Sequence, residues 1–244
     1  MDPKAERSAL QPIARDTLQE RVYLRIRQAL IHSEFKPGQV LTIRELAQNL
    51  GTSIMPVREA LQKLTVERVL ELLPTRSVRV PVLSAEEFAD ICEARMLLEG
   101  RMARLATDRA SAEDLERIEE ASRAFSAAQA SSSPTLINQK NREFHFSIYR
   151  AARQPTLIEL IEPLWVRCGP CTVALFMELG AEKVKSGAVD QHREILEAIR
   201  AHHPGDAETA VIADIRATSE RYQKYRREHG EFFEHARDPR AAVR

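Results

Sequence analysis

The 244-residue chain has few aromatic residues (5%), few glycines (8) and few cysteines (3). Long charged and aliphatic stretches without glycine favour helix over sheet, so we expect a mainly α fold. No run approaches 18 apolar residues, and we therefore expect no membrane-spanning helix. The first ten residues, MDPKAERSAL, lack the apolar core of a signal sequence, which predicts a cytoplasmic protein.

Three cysteines are too few for a disulfide framework, but two of them form Cys168-Gly169-Pro170-Cys171. Thioredoxin-type oxidoreductases use such a loop, with its first cysteine at a helix N-terminus in a βαβ unit. Here the preceding run, PTLIELIEPLWVR, has apolar residues at spacings of three and four, which is typical of a helix. We interpret the segment as a Gly-Pro break between two packed helices, in which the thiols act as small apolar groups. A thiol–disulfide enzyme is the alternative.

The net charge is zero, with 36 basic and 36 acidic residues, but the charge is unevenly distributed. Residues 1–80 contain 13 Lys and Arg against 9 Asp and Glu, a net of +4, so the remainder has a net of −4. A basic N-terminal third points towards nucleic acid.

The same third has clear helix boundaries. Residues 17–33 place apolar side chains on one helical face. Thr42-Ile43-Arg44-Glu45 is a capping box that begins a second helix, and Gly51 is suited to its end. Ser53 can cap a third helix, because Pro56 then falls in the first turn, where a missing N–H is tolerated. A helix, a short turn with glycine and a second helix form a helix-turn-helix.

Two β-prone runs, VLELLP and SVRVPV, follow on either side of Pro74-Thr75-Arg76. They predict a small hairpin, the wing of a winged helix. We therefore expect a flexible tail at 1–14 and a winged helix-turn-helix domain of three helices and a small β-hairpin at 15–82.

The segment TIRELAQNLGTSIMPVREALQKL resembles the DNA-binding part of GntR-family transcription regulators, and Pro56–Leu61 is its most specific portion. Ile91–Glu99, then Asn141-x-x-Phe144-His145, then His192 resemble the all-helical ligand domain of the FadR branch, of the FCD type. The resemblance covers about residues 15–225. It implies a homodimer that binds double-stranded operator DNA through its winged helix and a small effector through its helical domain.

The resemblance also implies which residues face DNA, namely Arg44, Ser53, Met55 and Arg58, with Arg76 at the wing tip. A recognition helix presents its N-terminal side chains to base edges, and Arg is the usual bidentate reader of guanine. The alternative for Arg44 and Arg58 is a solvated surface charge.

Three positions depart from the family pattern. Ile54 stands where the family commonly has Arg, so one base-reading side chain is missing. Arg68 and Ser77 stand where it commonly has Gly, which affects the turn of the wing. These three departures affect which operator sequence the protein binds and how tightly it binds.

From Ser84 onwards the pattern predicts an all-α helical-bundle domain at 83–228 and a flexible tail at 229–244. Ser84 and Ser111 have an acidic residue three positions later, which indicates helix starts. Further helices are predicted over 135–152, 155–168, 171–179, 188–203 and 205–228.

Asn141 and His145 are four residues apart, so both project from one face of a helix. His192 lies on the apolar face of a later helix. The resemblance implies a metal site of the form Asp-x-x-x-His with two further histidines; here Asn141 replaces the aspartate, and Asp214 aligns with the third histidine. The predicted ligands of a divalent metal (Zn²⁺, Mn²⁺ or Ni²⁺) are therefore Asn141, His145, His192 and Asp214. The alternative is that the histidines are ordinary core residues.

A divalent ion with one carboxylate ligand leaves a positive site, which suits a small carboxylate effector. Arg95 could bind the same carboxylate in a bidentate manner, or it could pair with Glu99 within its own helix. We therefore predict a metabolite-responsive transcription regulator, a repressor rather than an activator, and no enzyme. The alternatives are a metal- or thiol-dependent enzyme and a helical adaptor whose winged helix contacts protein.

Overall fold

The computed structural model describes residues 18–75, 77–131 and 133–229, without the side chains of 178–190. The predicted tail at 1–14 and the wing-tip residue Arg76 lie outside the described residues, as does the tail at 229–244 apart from His229. Within the described residues the fold is mainly α, as predicted.

Three helices and three two-residue strands form the N-terminal part. They are α1 (Leu18–Ile31), β1 (Val40–Leu41), α2 (Ile43–Asn49), α3 (Ile54–Val66), β2 (Glu71–Leu72) and β3 (Val78–Arg79). Strand β3 pairs antiparallel with both β1 and β2, so the sheet order is β1-β3-β2. The predicted hairpin is therefore present, and β1 adds a third strand that is too short to give a sequence pattern.

Capping defines the helix-turn-helix. Thr42 Oγ1 accepts a hydrogen bond from the backbone N–H of Glu45 at 3.3 Å, and Gly51 has a positive φ of 60° after α2. Ser53 occupies the N-cap position of α3, but its side chain makes no capping hydrogen bond. The inner faces of α1 and α3 bury Leu30, Val57 and Leu64 in one apolar core.

Five helices follow and pack around a second apolar core. They are α4 (Ala85–Arg109), α5 (Ala112–Ala130), α6 (Pro134–Ala151), α7 (Pro155–Arg200) and α8 (Pro204–Glu228). Both predicted helix starts, at Ser84 and Ser111, are present, and each is closed by a capping box. The most extensive packing within this bundle is that of α8 against α4 and α7. Helix α8 therefore lies against helices that enclose the site described below.

The predicted Gly-Pro break is wrong, because α7 continues through Gly169 and Pro170 as one helix. A proline inside a helix removes one hydrogen bond and crowds the preceding turn, but tertiary packing overrides that cost here. Cys168 and Cys171 are free and buried in the core, as the interpretation of them as apolar groups requires. A side chain at Gly169 would meet the backbone carbonyls of α1, at 3.7 Å from Ile31 O, so close approach of the two helices holds α7 in place.

The first half of α7, Pro155–Met177, is long and apolar enough to cross a membrane, although no such helix was expected. Glu159 and Glu162 interrupt the apolar run in the sequence. Of its most apolar window, 61% is buried inside the protein, which is the behaviour of a core helix.

Helices α6 and α7 also contact the N-terminal part. Val166 of α7 belongs to the N-terminal apolar core, and Arg27 of α1 pairs with Glu162 at 2.8 Å. Asn138 of α6 donates its side-chain N–H to the backbone carbonyl of Ile31 at 3.3 Å. The wall of the helical bundle therefore directly touches the last turn of α1.

Candidate functional site

Three of the four predicted metal ligands meet in the interior of the helical bundle. His145 of α6, His192 of α7 and Asp214 of α8 place one ligand atom each within 4.8 Å of the others. All three side chains are buried. Helices α6, α7 and α8 thus bring together residues that are up to 69 positions apart in the sequence (214 minus 145).

The imidazole of His192 is enclosed by aromatic rings. The rings of Phe125 and Phe144 both lie 4.2 Å from it, centroid to centroid. Within the described residues neither Nδ1 nor Nε2 has a hydrogen-bond partner, and burial lowers the pKa of His192 to about 3. Buried polar groups in proteins almost always have a partner, so this neutral imidazole is an exception with a free lone pair.

His145 is oriented by a chain of hydrogen bonds. Tyr149 donates its hydroxyl proton to Glu99 at 2.5 Å, and Nδ1 of His145 lies 3.1 Å from the same tyrosine oxygen. The hydroxyl of Tyr149 has only one proton, and that proton is used in the hydrogen bond to Glu99. We therefore assign the N–H of His145 to Nδ1, which donates to the tyrosine oxygen. Nε2 of His145 then presents its lone pair to the cluster, which is the arrangement that metal-binding histidines need.

Asp214 faces this lone pair directly. Its Oδ2 lies 3.2 Å from Nε2 of His145, but the pair lacks hydrogen-bond geometry. Burial alone would raise the pKa of Asp214, but its contact with the imidazole of His145 outweighs burial and holds the pKa below its ordinary value. A carboxylate and an imidazole lone pair at this separation need a positive charge beside them, supplied by a proton or by a cation.

Asn141, the fourth predicted ligand, is half-buried one turn before His145 on α6. It lines the same cavity as Asp214 and Arg95. The volume of this cavity is about 30 Å³, which is room for a single ion or water molecule but not for an organic metabolite.

Arg95 forms the intrahelical pair with Glu99. Its Nε donates to Glu99 Oε1 at 2.7 Å, and Trp165 donates its indole N–H to the same oxygen at 3.0 Å. The guanidinium also lies over the Trp165 ring, 4.1 Å from its centroid. Arg95 therefore lines the cavity with its charge already neutralised.

Sequence reasoning missed Tyr149 and Trp165 as parts of this network. Tyr149 lies four residues after His145 and so on the same helical face, which is a signal that could have found it. The contact between Trp165 and Glu99 joins two helices and has no sequence signature.

The four predicted DNA-facing residues within the described part lie on the surface of α2 and α3. Arg44, Ser53, Met55 and Arg58 are all exposed. Within the described residues neither arginine has an ion-pair partner, so both charges are available. Met55, at the start of α3, exposes 54% of its surface.

Comparison with known proteins agrees with this architecture. Residues 18–80 match the family described as bacterial regulatory proteins, gntR family, and residues 90–217 match the FCD domain. The HTH-type transcriptional regulator McbR of Escherichia coli (strain K12) is 32% identical over 166 residues, which are 68% of this chain and 75% of that protein. The galactonate operon transcriptional repressor of the same organism is 23% identical over 228 residues, 84% of this chain and 96% of that protein.

The solved structure of E. coli McbR/YncC has a TM-score of 0.79 and 28% sequence identity to this chain, and the match covers 86% of this chain and 99% of that one. The order of domains, the helical architecture and the sequence matches all agree. The chain therefore belongs to the GntR family of bacterial transcriptional regulators, with a winged helix-turn-helix followed by an FCD effector-binding domain.

Proposed function

We propose that this protein is a sequence-specific repressor, acting as a cytoplasmic homodimer. Its affinity for operator DNA is controlled by a small carboxylate metabolite that binds in the FCD domain beside a divalent metal ion. A repressor role is supported by the similarity to the galactonate operon transcriptional repressor.

The observation that carries the proposal is the buried cluster of His145, His192 and Asp214. Two features are hard to explain in a domain without an ion: both nitrogens of His192 lack a partner, and a carboxylate faces the unprotonated nitrogen of His145 at 3.2 Å. One cation among the three ligand atoms would give a partner to one nitrogen of His192, to Nε2 of His145 and to the carboxylate of Asp214.

The donor set fits such an ion. Two imidazoles, one carboxylate and the amide oxygen of Asn141 suit Zn²⁺, Mn²⁺ or Ni²⁺. Bound there, the ion would supply a Lewis-acidic point of attachment for a carboxylate. The protein contributes the orientation of His145 through Tyr149 and Glu99, and the exclusion of water by Phe125 and Phe144.

On the DNA side, α3 is the recognition helix. We propose that Arg44 of α2, together with Ser53, Met55 and Arg58 at the start of α3, contacts the operator, with Arg76 at the wing tip. In a two-fold dimer two such helices read two half-sites of a near-palindromic operator. The effector alters transcription only if it binds two arrangements of the domains with different affinity.

The metal is tested with protein purified without an affinity tag. We expect elemental analysis to find one divalent transition metal per chain, a chelator to lower the melting temperature, and Zn²⁺, Mn²⁺ or Ni²⁺ to restore it. An ion present at a hundred times its dissociation constant stabilises the folded state by about 2.7 kcal/mol. Less than about a tenth of an equivalent of metal, with melts indifferent to chelator and ions, would leave the histidines as lining of a metal-free pocket.

Ligand variants sharpen the test. Because Asp214 supplies the only ligand charge, Asp214→Ala should lower metal affinity more than Asn141→Ala does. Glu220→Ala, an exposed acidic position on the same helix, is the control and should leave metal affinity unchanged.

The remaining alternative is an adaptor whose winged helix contacts protein. A DNA-binding measurement distinguishes it from the proposed repressor. Association with duplex DNA should weaken steeply between 50 and 200 mM salt, as expected of a protein that neutralises phosphates.

A further inference from the structure

One side of the metal-site cavity is formed by successive turns of α8. Asp214, Thr218 and Arg221 all line it, and their spacing of four and then three residues places them on one helical face. At 1.5 Å of rise per residue, Arg221 lies about 10 Å further along α8 than Asp214. The cavity wall thus carries the candidate metal ligand at one end and a guanidinium at the other.

Arg221 differs from the other arginine of this cavity. Arg95 is buried and held by Glu99 at 2.7 Å, so its charge is compensated. Arg221 is half-buried, and within the described part of the chain its guanidinium forms no hydrogen bond or ion pair. A partly desolvated guanidinium without a partner is a ready site for an anionic group, because its fork matches a carboxylate in a bidentate manner.

We propose that Arg221 makes this regulator selective for effectors with two anionic groups, one held at the metal end of the cavity and the other by Arg221. The proposal rests on the proposed function, since it takes the same cavity as the effector site. It names the class of effector: short, linear dicarboxylates rather than monocarboxylates.

The length of the effector follows from the spacing. A metal–oxygen bond takes up about 2 Å and a guanidinium–carboxylate contact about 2.8 Å. About 5 Å of the 10 Å along α8 then remains between the two bound carboxylate oxygens. Extended dicarboxylates of four to six carbons have this size.

Binding of such a molecule must open the cavity, because its volume of about 30 Å³ admits only an ion or a water molecule. Movement of Arg221 would also move the next residue, Tyr222. Tyr222 donates its hydroxyl to the backbone carbonyl of Leu83 at 2.9 Å and stacks on Phe88, with ring centroids 4.0 Å apart. Leu83 lies in the connection between the winged helix and α4, so a shift of this turn of α8 acts on that connection.

The test uses the full-length protein loaded with Zn²⁺ and calorimetric titration with succinate, glutarate and adipate, each compared with the monocarboxylate of the same length. We expect at least one dicarboxylate to bind at least about tenfold more tightly than its matched monocarboxylate, the size of effect that one charge-assisted contact gives. In Arg221→Gln this advantage should disappear while monocarboxylate binding stays the same. Arg216→Gln, an exposed arginine on the same helix, should behave like the wild type.

Equal binding of dicarboxylates and monocarboxylates by the wild type, or no binding of any of them, would refute the proposal without the need for a variant. So would an Arg221→Gln protein that keeps the full preference. The Zn²⁺ titration that precedes each experiment reports on the proposed metal site separately, so loss of Zn²⁺ binding contradicts the proposed function, and loss of the dicarboxylate preference contradicts only the role of Arg221.

Discussion

The two apolar cores of this protein differ in what else they bury. Within the described residues, the core of the winged helix contains apolar side chains and the ring of Tyr23, whose hydroxyl reaches Glu67. All eleven buried polar or charged side chains in the described part of the chain lie between Arg95 and Ser219, in the helical domain. Burying such groups costs free energy unless they are paired, so the helical domain carries a cost that the winged helix does not.

The difference shows two ways of building a functional surface. The winged helix uses its core only to hold α2 and α3, and its polar chemistry faces outwards on Arg44 and Arg58. The helical domain turns its chemistry inwards, around His192 and Asp214. Perturbations of solvent and protonation should therefore act on the second domain, and loss of surface charge should act on the first.

Acid provides the strongest test of this contrast. In metal-free protein, the pKa of His192 is lowered to about 3, below the usual value of about 6.5 for an unfolded chain. Between these values the unfolded chain binds a proton that the folded chain does not, so stability is full above about pH 6.5 and is lost as the pH falls. With at most about 1.4 kcal/mol per pH unit, we expect the helical domain to lose about 2 kcal/mol between pH 7 and pH 5.

The loss is measured by urea unfolding with chelator present, followed by the fluorescence of Trp165, the single tryptophan. His145 and Asp214 face His192 in the fold, and the lowered pKa of Asp214 places its own contribution below this pH window. His192→Gln should remove most of the pH dependence, whereas His203→Gln, at an exposed position, should keep it. A pH-independent wild type would show that His192 is not held neutral by burial.

For the outward-facing domain, Arg58→Ala should weaken operator binding by about 1–3 kcal/mol, the contribution of one good base or phosphate contact. The physical reason is that Arg58 is exposed and unpaired near the start of α3. The measurement is a fluorescence titration of the operator at fixed salt.

Arg21→Ala is the matched control, since Arg21 is an exposed arginine on α1 of the same domain. A folded Arg58→Ala protein with undiminished operator affinity would remove Arg58 from the DNA interface. Its metal content and acid sensitivity should equal those of the wild type, because both properties belong to the other domain.

The smallest effect is expected for the thiols. Cys168 and Cys171 are buried, and the pKa of each thiol is raised, for Cys168 by its contact with Cys92 and by burial, and for Cys171 by burial. A buried thiol with a raised pKa is a poor nucleophile. Cys168→Ser combined with Cys171→Ser should therefore leave operator affinity within about twofold, under reducing and oxidising conditions alike. A redox response that the wild type shows and the double variant lacks would contradict this.

Most of the fold was predictable from local signals. The capping boxes at Ser84 and Ser111 and the helix-turn-helix are encoded within a few residues of each other, and all are present. The continuity of α7 was not predictable, because proline normally ends a helix and the packing that overrides it comes from helices far away in the sequence, chiefly α8 and α4.

The candidate site was predictable to a similar degree. The spacing of Asn141 and His145 and the family resemblance pointed to the cluster that the structure brings together around His192. The orientation of His145 through Tyr149 and Glu99 was not, since it depends on contacts between α4 and α6. The state of Arg95 was also open until the structure showed its pairing with Glu99.

The hydrogen bond from Asn138 to the carbonyl of Ile31 has a consequence for how far an effector can change operator affinity. Asn138 lines the cavity and donates to the last turn of α1 at 3.3 Å, so under the proposed function an effector in the cavity would act on the winged helix through a single side chain. A neutral hydrogen bond contributes about 0.5–1.5 kcal/mol, which corresponds to at most about a tenfold change in an equilibrium constant. Through this contact alone, an effector would change operator affinity by at most about tenfold, and a larger change would require other contacts to break together with it.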